Sequence, residues 1–222
     1  MADSAREGIL QRDKETYAIV PKIPMGMLTP QILEKIASVA KKYNIPALKI
    51  TSAQRIALVG IKKEDVENVW EDLGMEVGYP VGACLHYVQS CPGTEVCRLG
   101  QRDSLHMAQK LDELLSQMNI PAKTKVGVSG CPLNCGEGFV RDIGLFGKKE
   151  TGWTVIIGGN SGRNTRIGDV LAEDLSEEET IDLINRFAQF YIANAKGRER
   201  LYRFVPRIGI EEIKKELGLV HS

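Results

Sequence analysis

Four of the five cysteines form two spaced pairs, and this spacing constrains the fold more than any other feature of the sequence. Five residues separate Cys91 from Cys97, three separate Cys131 from Cys135, and 33 residues lie between the pairs. Each pair follows a short apolar stretch typical of a β-strand and lies in a turn rich in proline and glycine. The pattern therefore predicts two strand-to-turn units, each of which presents a pair of thiols.

Four thiols in such turns are suited to a [4Fe–4S] cluster, in which each iron takes one cysteine. Backbone N–H groups in turns can point at the sulfurs and stabilise their negative charge. A tetrahedral zinc site is an alternative, but zinc usually takes cysteine pairs separated by about two to four residues. Four unrelated buried thiols are a second alternative. We predict that Cys91, Cys97, Cys131 and Cys135 bind the cluster, and that Cys84, within an apolar strand, is a small buried side chain and no ligand.

Composition excludes several other classes of protein. The chain has 222 residues, of which 43% are hydrophobic and 26% charged, as in ordinary globular proteins that fold without disulfides. A formal net charge of zero argues against a nucleic-acid partner, which requires a basic excess. No apolar run approaches the ~20 residues that span a bilayer, and residues 1–14 lack the apolar core of a signal peptide. We expect a cytoplasmic protein with no membrane partner, whose clustered cysteines serve metal or redox chemistry.

The first 80 residues have the pattern of a small α+β unit. Thr29 can cap a helix that begins at Pro30, because threonine is a good N-cap and proline suits the first turn. With this helix, the pattern predicts strands at 17–21, 47–50 and 55–60 and a second helix at 63–73. This order favours helices on one face of an antiparallel sheet. The turn-rich segment 78–82 is the predicted boundary between domains 1–80 and 81–222.

The second predicted domain alternates strands and helices around the cysteines. Strands are predicted at 83–88 and 125–129, each leading to a cysteine pair, and at 153–157, ahead of a glycine-rich stretch. Helices are predicted at 104–118, 176–195 and 210–217; Ser176 and the acids after it suit a helix amino terminus. We therefore expect an α+β protein whose second domain has a central, mainly antiparallel sheet.

Several motifs, taken in their order along the chain, resemble the sirohaem- and [4Fe–4S]-dependent sulfite and nitrite reductase family. They are residues 90–97, residues 129–136 with 142–145, Gly158-Gly159 with Arg163 and Arg166, and, more weakly, residues 50–54 ahead of Gly60. The resemblance covers about residues 28–217. It implies a ferredoxin-like half-domain followed by a domain that binds sirohaem and the cluster.

The resemblance implies that Cys135 links a cluster iron to the sirohaem iron, whose other face binds sulfite or nitrite. Reduction of these anions consumes protons as well as electrons, so the pocket needs cations that bind the anion and supply protons. Lys123 and Lys125 match a Lys-x-Lys motif of the family and, two residues apart, face the same side of a strand. We predict both as substrate ligands; a solvated strand edge is the alternative.

Sirohaem carries many carboxylates, so its site should be basic and rich in N–H donors. The residues predicted to contact it, besides Cys135, are Thr51, Ser52, Gln54, Arg55, Arg98, Gly159, Asn160, Arg163 and Arg166. For Arg55 and Arg98 a surface salt bridge is an equal alternative.

Three positions depart from the family pattern and bear on substrate choice more than on cofactor binding. His86 and Ala53 stand where the family often has arginine, and Leu133 stands where an asparagine usually follows Cys-Pro, with Asn134 next. His86 can donate a proton near neutral pH, so we predict a catalytic role; a packed structural histidine is the alternative.

We interpret the chain as a small sirohaem [4Fe–4S] oxidoreductase that reduces sulfite to sulfide in six one-electron steps. Nitrite reduction to ammonia is one alternative; an electron-transfer module without sirohaem and a non-catalytic sirohaem carrier are others. Large family members contain two such repeats, so we expect this single repeat to form a homodimer. No second set of cluster cysteines is present, so electrons are expected from a separate ferredoxin-like or flavin donor.

Overall fold

The computed structural model describes residues 6–78 and 82–219. Contacts between residues divide the chain into two compact units, Met1–Val81 and Gly82–Ser222. Residues 79–81 of the predicted boundary segment lie outside the described residues.

The first unit contains a four-stranded antiparallel sheet in the order β1–β2–β4–β3. Its strands are β1 (Ile9–Leu10), β2 (Thr16–Ile19), β3 (Ala47–Ile50) and β4 (Ile56–Lys62), and its helices are α1 (Pro30–Lys42) and α2 (Val66–Leu73). Helix α1 begins as predicted, because the Thr29 hydroxyl accepts the Ile32 N–H at 3.3 Å. Buried Ile36 of α1, Leu58 of β4 and Trp70 of α2 belong to one apolar core.

The second unit is built on a five-stranded sheet in the order β5–β6–β7–β8–β9. Its strands are β5 (Leu85–Ser90), β6 (Thr124–Ser129), β7 (Ile143–Lys148), β8 (Gly152–Ile157) and β9 (Asp169–Leu175). Its helices are α3 (Gly93–Val96), α4 (Ser104–Ser116), α5 (Glu177–Asn194), α6 (Leu201–Ile208) and α7 (Ile210–Glu216). Within the described residues, no helix is long and apolar enough to cross a membrane.

The sheet of the second unit is mixed. The β5–β6 and β6–β7 pairs are parallel, whereas the β7–β8 and β8–β9 pairs are antiparallel. Helix α4 lies between β5 and β6 along the chain, and a crossover of this kind returns the chain in the same direction. The α+β fold class is confirmed, but the expectation of a mainly antiparallel second sheet is corrected to a mixed one.

The parallel pairing brings the two cysteine segments to one edge of the sheet. Ser90, the last residue of β5, is in register with Val128 near the end of β6. The segments that begin at Cys91 and Cys131 therefore leave the sheet side by side.

Candidate functional site

The two cysteine loops are tied to each other by backbone hydrogen bonds. The Cys91 N–H donates to the Val128 carbonyl at 3.1 Å, and the Gly130 N–H donates to the Cys91 sulfur, also at 3.1 Å. The Gly130 carbonyl accepts the N–H groups of Gln101 and Arg102 at 2.8 and 2.9 Å. One cysteine sulfur thus receives a backbone donor from the opposite loop, an interaction that stabilises a thiolate.

Glycines allow this close approach. A Cβ atom on Gly130 would lie 2.8 Å from the Gly93 Cα, and one on Gly100 would lie 2.6 Å from the Gly93 carbonyl oxygen. The Ser104 hydroxyl donates to the Cys91 carbonyl at 2.8 Å and lies 3.3 Å from its sulfur. The first residue of α4 therefore holds the first cysteine in place.

The Cys131–Cys135 loop is shaped by Asn134, which adopts a left-handed backbone conformation with φ 55°. Its side-chain oxygen accepts the Gly138 N–H at 3.0 Å and the Ser129 hydroxyl at 3.2 Å. The Ser129 oxygen in turn accepts the Gly136 N–H at 2.8 Å. The neighbouring Leu133 is 67% exposed, so in this chain Asn134 is the residue that closes the loop.

The four thiols differ in exposure: Cys131 is buried, Cys91 and Cys97 are partly buried, and Cys135 is exposed. Among residues 6–78 and 82–219, no three His, Cys, Asp or Glu side chains are grouped to hold a metal ion. In a cubane, each thiolate binds a different iron, so the sulfurs do not converge on one point. The donor set, four thiols on two joined loops with a backbone N–H on one sulfur, fits a [4Fe–4S] cluster.

Strand β6 places Lys125 at its amino end, two residues after Lys123. The Lys125 ammonium nitrogen lies 5.9 Å from the ring centroid of Tyr87, its register partner on β5. Burial lowers the pKa of Lys125, and the positive charges of Arg200 and Arg141 lower it further, while Asp142 opposes them. Lys123 directly precedes the strand and is also partly buried.

Arg141 is a buried cation that the sequence analysis missed. Its guanidinium donates to the Gln89 side chain at 3.1 Å and to the Ser161 hydroxyl at 2.9 Å, and it is ion-paired with Glu137. It also lies over the Tyr87 ring, with its Cζ 5.9 Å from the centroid. Arg141 thus connects β5, the loop after Cys135 and the glycine-rich loop. In the sequence, the one feature that could have indicated its role is its position in a charged pair directly before an apolar stretch.

Gly127 brings these groups onto one face of β6. A Cβ atom there would lie 2.8 Å from the Arg141 Cγ and 2.2 Å from the Gly136 carbonyl oxygen. Lys125, Gly127 and Ser129 face the same side of the strand, because every second residue of a β-strand does. The lysine, the buried arginine and the loop of Cys135 therefore share that face.

Asp142 follows Arg141 and is 1% exposed. Its Oδ2 accepts the backbone N–H of Lys125 at 3.0 Å and the Arg200 guanidinium at 2.7 Å. Burial raises the pKa of Asp142, and Arg200 opposes that shift. The carboxylate therefore joins Lys125 to a residue of the carboxyl-terminal segment.

The glycine-rich loop is closed on itself. Buried Asn160 exchanges two backbone hydrogen bonds of 2.9 Å with Arg166, and its side chain donates to the Asn164 carbonyl at 2.7 Å. The Arg166 guanidinium donates to the Gly158 carbonyl at 2.9 Å and pairs with Asp169 at 2.5 Å. Arg166, predicted as a sirohaem contact, is therefore engaged within its own loop.

The other two predicted sirohaem residues of this loop have different surroundings. Arg163 is exposed, whereas Gly159 lies in close contact with the main chain, since a Cβ there would meet the Phe139 and Arg141 carbonyl oxygens at 2.4 and 2.5 Å. Arg98, beside Cys97, is exposed.

His86 lies at an irregularity in the β5–β6 pairing. Leu85 is in register with Thr124 and Tyr87 with Lys125, so the register skips His86 and strand alternation does not orient it. Its ring centroid is 5.1 Å from that of Tyr87. Its assignment as a catalytic residue stays a prediction.

The predicted residues of the first unit form a tight turn. The Thr51 hydroxyl donates to the Arg55 carbonyl at 3.1 Å and accepts the Arg55 N–H at 3.3 Å, and Gln54 has a left-handed φ of 56°. Arg55 is buried, and its guanidinium is so close to Gly78 that a Cβ there would lie 2.5 Å away. Ser52 is exposed.

Two family models cover most of the chain. The nitrite/sulfite reductase ferredoxin-like half domain matches residues 9–76, and the nitrite and sulphite reductase 4Fe-4S domain matches residues 81–221. The fold and the cysteine loops define a redox protein, and the matches show that the chain belongs to the nitrite and sulfite reductase family. It is an oxidoreductase of a family whose cofactors are a [4Fe–4S] cluster and sirohaem.

Individual relatives differ in how much of their length they share with this chain. An assimilatory-type sulfite reductase of Nitratidesulfovibrio vulgaris is 53% identical over 215 residues, which cover 97% of this chain and 98% of the relative. A nitrite reductase [NAD(P)H] of Bacillus subtilis is 38% identical over 94% of this chain, which is 26% of the relative.

Two solved structures support the fold. Dissimilatory sulfite reductase I has a TM-score of 0.78 at 14% identity, covering 93% of this chain and 69% of that one. The NirA protein of Mycobacterium tuberculosis has a TM-score of 0.73 at 19% identity, covering 91% and 40%.

Proposed function

We propose that the chain reduces sulfite to sulfide, with nitrite as the alternative anion. The observation that carries the proposal is the shared face of β6, on which Lys125 and Arg141 accompany the loop of Cys135. Cations suited to an oxyanion thus accompany the thiol predicted to link the two cofactors. Sulfite is preferred because the assimilatory-type sulfite reductase relative matches over almost its whole length.

Thiols suited to a cluster and exposed cations suited to carboxylates support the proposal that the chain binds both cofactors. Cys91, Cys97, Cys131 and Cys135 would hold the cluster, and Cys135 would also link it to the sirohaem iron. Thr51, Ser52, Gln54, Arg55, Arg98, Gly159, Asn160, Arg163 and Arg166 are the proposed sirohaem contacts, of which Arg163 and Arg98 are the exposed cations suited to carboxylates. When bound, the cofactor pair would pass the six electrons of the external donor to the anion one at a time.

The side chains of the chain supply charge and protons. Hydrogen sulfite requires six electrons and six protons to give hydrosulfide and three waters. Lys125 and Lys123 would bind the anion as ammonium groups, and the lowered pKa of Lys125 makes it a better proton donor than an ordinary lysine. The Arg141 guanidinium would contribute positive potential to the site. His86 remains a candidate second donor.

The same proposal includes the wider assembly. Residues 1–80 form the half-domain and residues 81–222 the cofactor domain, an assignment that the two family matches support. A ferredoxin-like or flavin protein of the cytoplasm delivers the electrons, and a homodimer completes the site. Light scattering of the cofactor-loaded protein tests the dimer; a monomer would contradict it.

The test compares sulfite and nitrite on one preparation with a reduced viologen as donor. We expect sirohaem bands in the visible spectrum and a higher kcat/KM for sulfite than for nitrite. A higher kcat/KM for nitrite would identify nitrite as the preferred substrate. A spectrum without sirohaem bands would instead indicate an electron-transfer module.

Lysine variants test the anion site. Lys125→Met and Lys123→Met should each raise the KM for sulfite about tenfold or more, with an unchanged spectrum, because a charged hydrogen bond to the anion is lost. Lys149→Met, at an exposed lysine directly after β7, is the matched control and should leave the KM unchanged. An unchanged KM in the first two variants would remove both lysines from the site.

A further inference from the structure

On its β7 side, the amino end of β6 is held by a side chain rather than by the neighbouring strand, whereas β5 pairs with β6 from Thr124 onward. The β6–β7 pairing begins at Val126 and Ile143, one residue after Lys125 and Asp142. The Lys125 N–H therefore donates to the Asp142 carboxylate, at 3.0 Å, where a longer β7 would have supplied a carbonyl. A substitution at position 142 thus acts on the backbone of Lys125 directly.

Arg200 compensates for the burial of the Asp142 carboxylate. A carboxylate that is 1% exposed costs several kcal/mol unless it is paired. Arg200, which lies 58 residues away in sequence, donates to the same Oδ2 at 2.7 Å. In the part of the chain that the structure describes, the other oxygen, Oδ1, has no hydrogen-bond partner. The pair with Arg200 is therefore the main compensation for burying Asp142.

We infer that Asp142 and Arg200 are positioning residues for the Lys125 ammonium, fixing the start of β6 and setting the charge around it. The inference rests on the proposed function, in which Lys125 binds the substrate anion. Neither residue needs to touch the anion: Asp142 acts through the Lys125 backbone, and Arg200 acts through Asp142.

The charges around Lys125 give this pair a signature that a purely structural role would not have. The charged groups that act on Lys125 are Arg200, Arg141 and Asp142, and the uncharged Tyr87 ring lies beside it. Arg200 and Arg141 lower the pKa of Lys125, whereas Asp142 raises it. Removing the charge of Asp142 should therefore lower that pKa, and removing the charge of Arg200 should raise it.

The experiment measures the titration of Lys125 without using activity. The cofactor-loaded protein, free of sulfite, is labelled with trace acetic anhydride at a series of pH values, and modification of Lys125 is quantified by peptide mass spectrometry. In the wild type, the apparent pKa of Lys125 should lie below the ordinary value of a lysine. Asp142→Asn, which keeps an oxygen for the Lys125 N–H, should move it down, and Arg200→Gln should move it up.

A second ion pair provides the matched control. Arg207 pairs with Glu199 at 2.7 Å, and its side chain is about as exposed as that of Arg200. Arg207→Gln should leave the Lys125 titration and the KM for sulfite unchanged. Because Arg200 is partly exposed, Arg200→Gln and the charge-conserving Arg200→Lys keep the inference testable if Asp142→Asn does not fold.

Kinetics then separate this inference from the function on which it rests. Asp142→Asn and Arg200→Gln should raise the KM for sulfite about threefold to tenfold with a smaller change in kcat, and Arg200→Lys should recover most of the loss. The inference is overturned if Asp142→Asn and Arg200→Gln leave the Lys125 titration and the KM unchanged, or if both shift the pKa of Lys125 in the same direction. In either case Lys125→Met should still raise the KM for sulfite, so the proposed anion site would stand. If Lys125→Met leaves KM unchanged, the assignment of Lys125 as an anion ligand fails, even with opposite pKa shifts in the pair variants.

Discussion

Strand β6 is only six residues long, but its two ends are built by different kinds of interaction. At the carboxyl end, the Cys131–Cys135 loop is fixed by neutral groups: the Ser129 hydroxyl, the Asn134 amide and backbone N–H groups. At the amino end, Lys125 lies among charges, with the buried Asp142 carboxylate and the Arg200 guanidinium as its support.

The difference matches the two requirements of anion reduction. A cluster carries negative charge and must be held rigidly, which neutral N–H and O–H donors do at any ordinary pH. An oxyanion that consumes protons needs positive groups that can titrate. Lys125 and Ser129 are four residues apart, about 13 Å along an extended strand, so one strand fixes the spacing between the two chemistries. The two ends should therefore respond differently to substitution, and to salt.

The largest effect is expected at the carboxyl end. Cys135→Ser should abolish sulfite reduction, by more than about a hundredfold, because serine is a poor ligand for cluster iron and the proposed link to sirohaem is lost. Visible spectra and iron content of the purified variant measure it. Cys84→Ser is the matched control and should keep both cofactors and activity; a Cys135→Ser protein with wild-type spectrum and turnover would contradict the cluster assignment.

A smaller effect is expected from the residue that closes the same loop. Asn134→Ala loses the acceptor for the Gly138 N–H and places alanine at φ 55°, which together should lower the free energy of unfolding by about 2 kcal/mol. Asn134→Gly keeps the left-handed backbone accessible and should lose less. Thermal unfolding and iron content are the measurements.

Exposed Leu133 provides the control for this loop, since Leu133→Ala should change stability by no more than about 0.5 kcal/mol. The titration of Lys125 at the other end of β6 should be the same in both Asn134 variants. A shift in that titration would show that the two ends are coupled and would break the comparison.

Local patterns in the sequence predicted the parts of the fold that depend on neighbours in the chain. The Thr29 cap of α1 is confirmed, and so is the start of α5 at Ser176, where the structure shows a capping box between Ser176 and Glu179. The turns after β5 and β6 were likewise indicated by their glycines and prolines. The roles of the cysteines and lysines stay predictions.

Elements that depend on distant partners were missed. Strand β7 contains Gly144, where a Cβ would lie 2.2 Å from the Gly138 carbonyl oxygen, so its glycine reflects tertiary contact and not strand propensity. Helix α6 contains Pro206, which argues against a helix locally.

The support of Lys125 was missed for the same reason. Asp142 and Arg200 are 17 and 58 residues from their partners Lys125 and Asp142, and hydrophobic periodicity carries no information about such pairs. A sequence pattern pointed to the lysine that we propose as a substrate ligand, but not to the charged residues that support it.

The smallest expected effect is that of salt, which should act on the amino end of β6 but not on the carboxyl end. Raising the ionic strength from about 0.05 to 0.5 M shortens the Debye length from about 14 to 4 Å and should weaken sulfite binding by about twofold to threefold, since Lys125 is only partly buried. The sulfite-induced change in the visible spectrum gives the dissociation constant, while the spectrum of the sulfite-free protein should stay constant, because neutral hydrogen bonds hold the Cys131–Cys135 loop. Lys125→Met should reduce the salt dependence, since one of the screened charges is gone. If the full dependence persists in that variant, the screened charge lies elsewhere, and Lys123 and Arg141 become the cations to test.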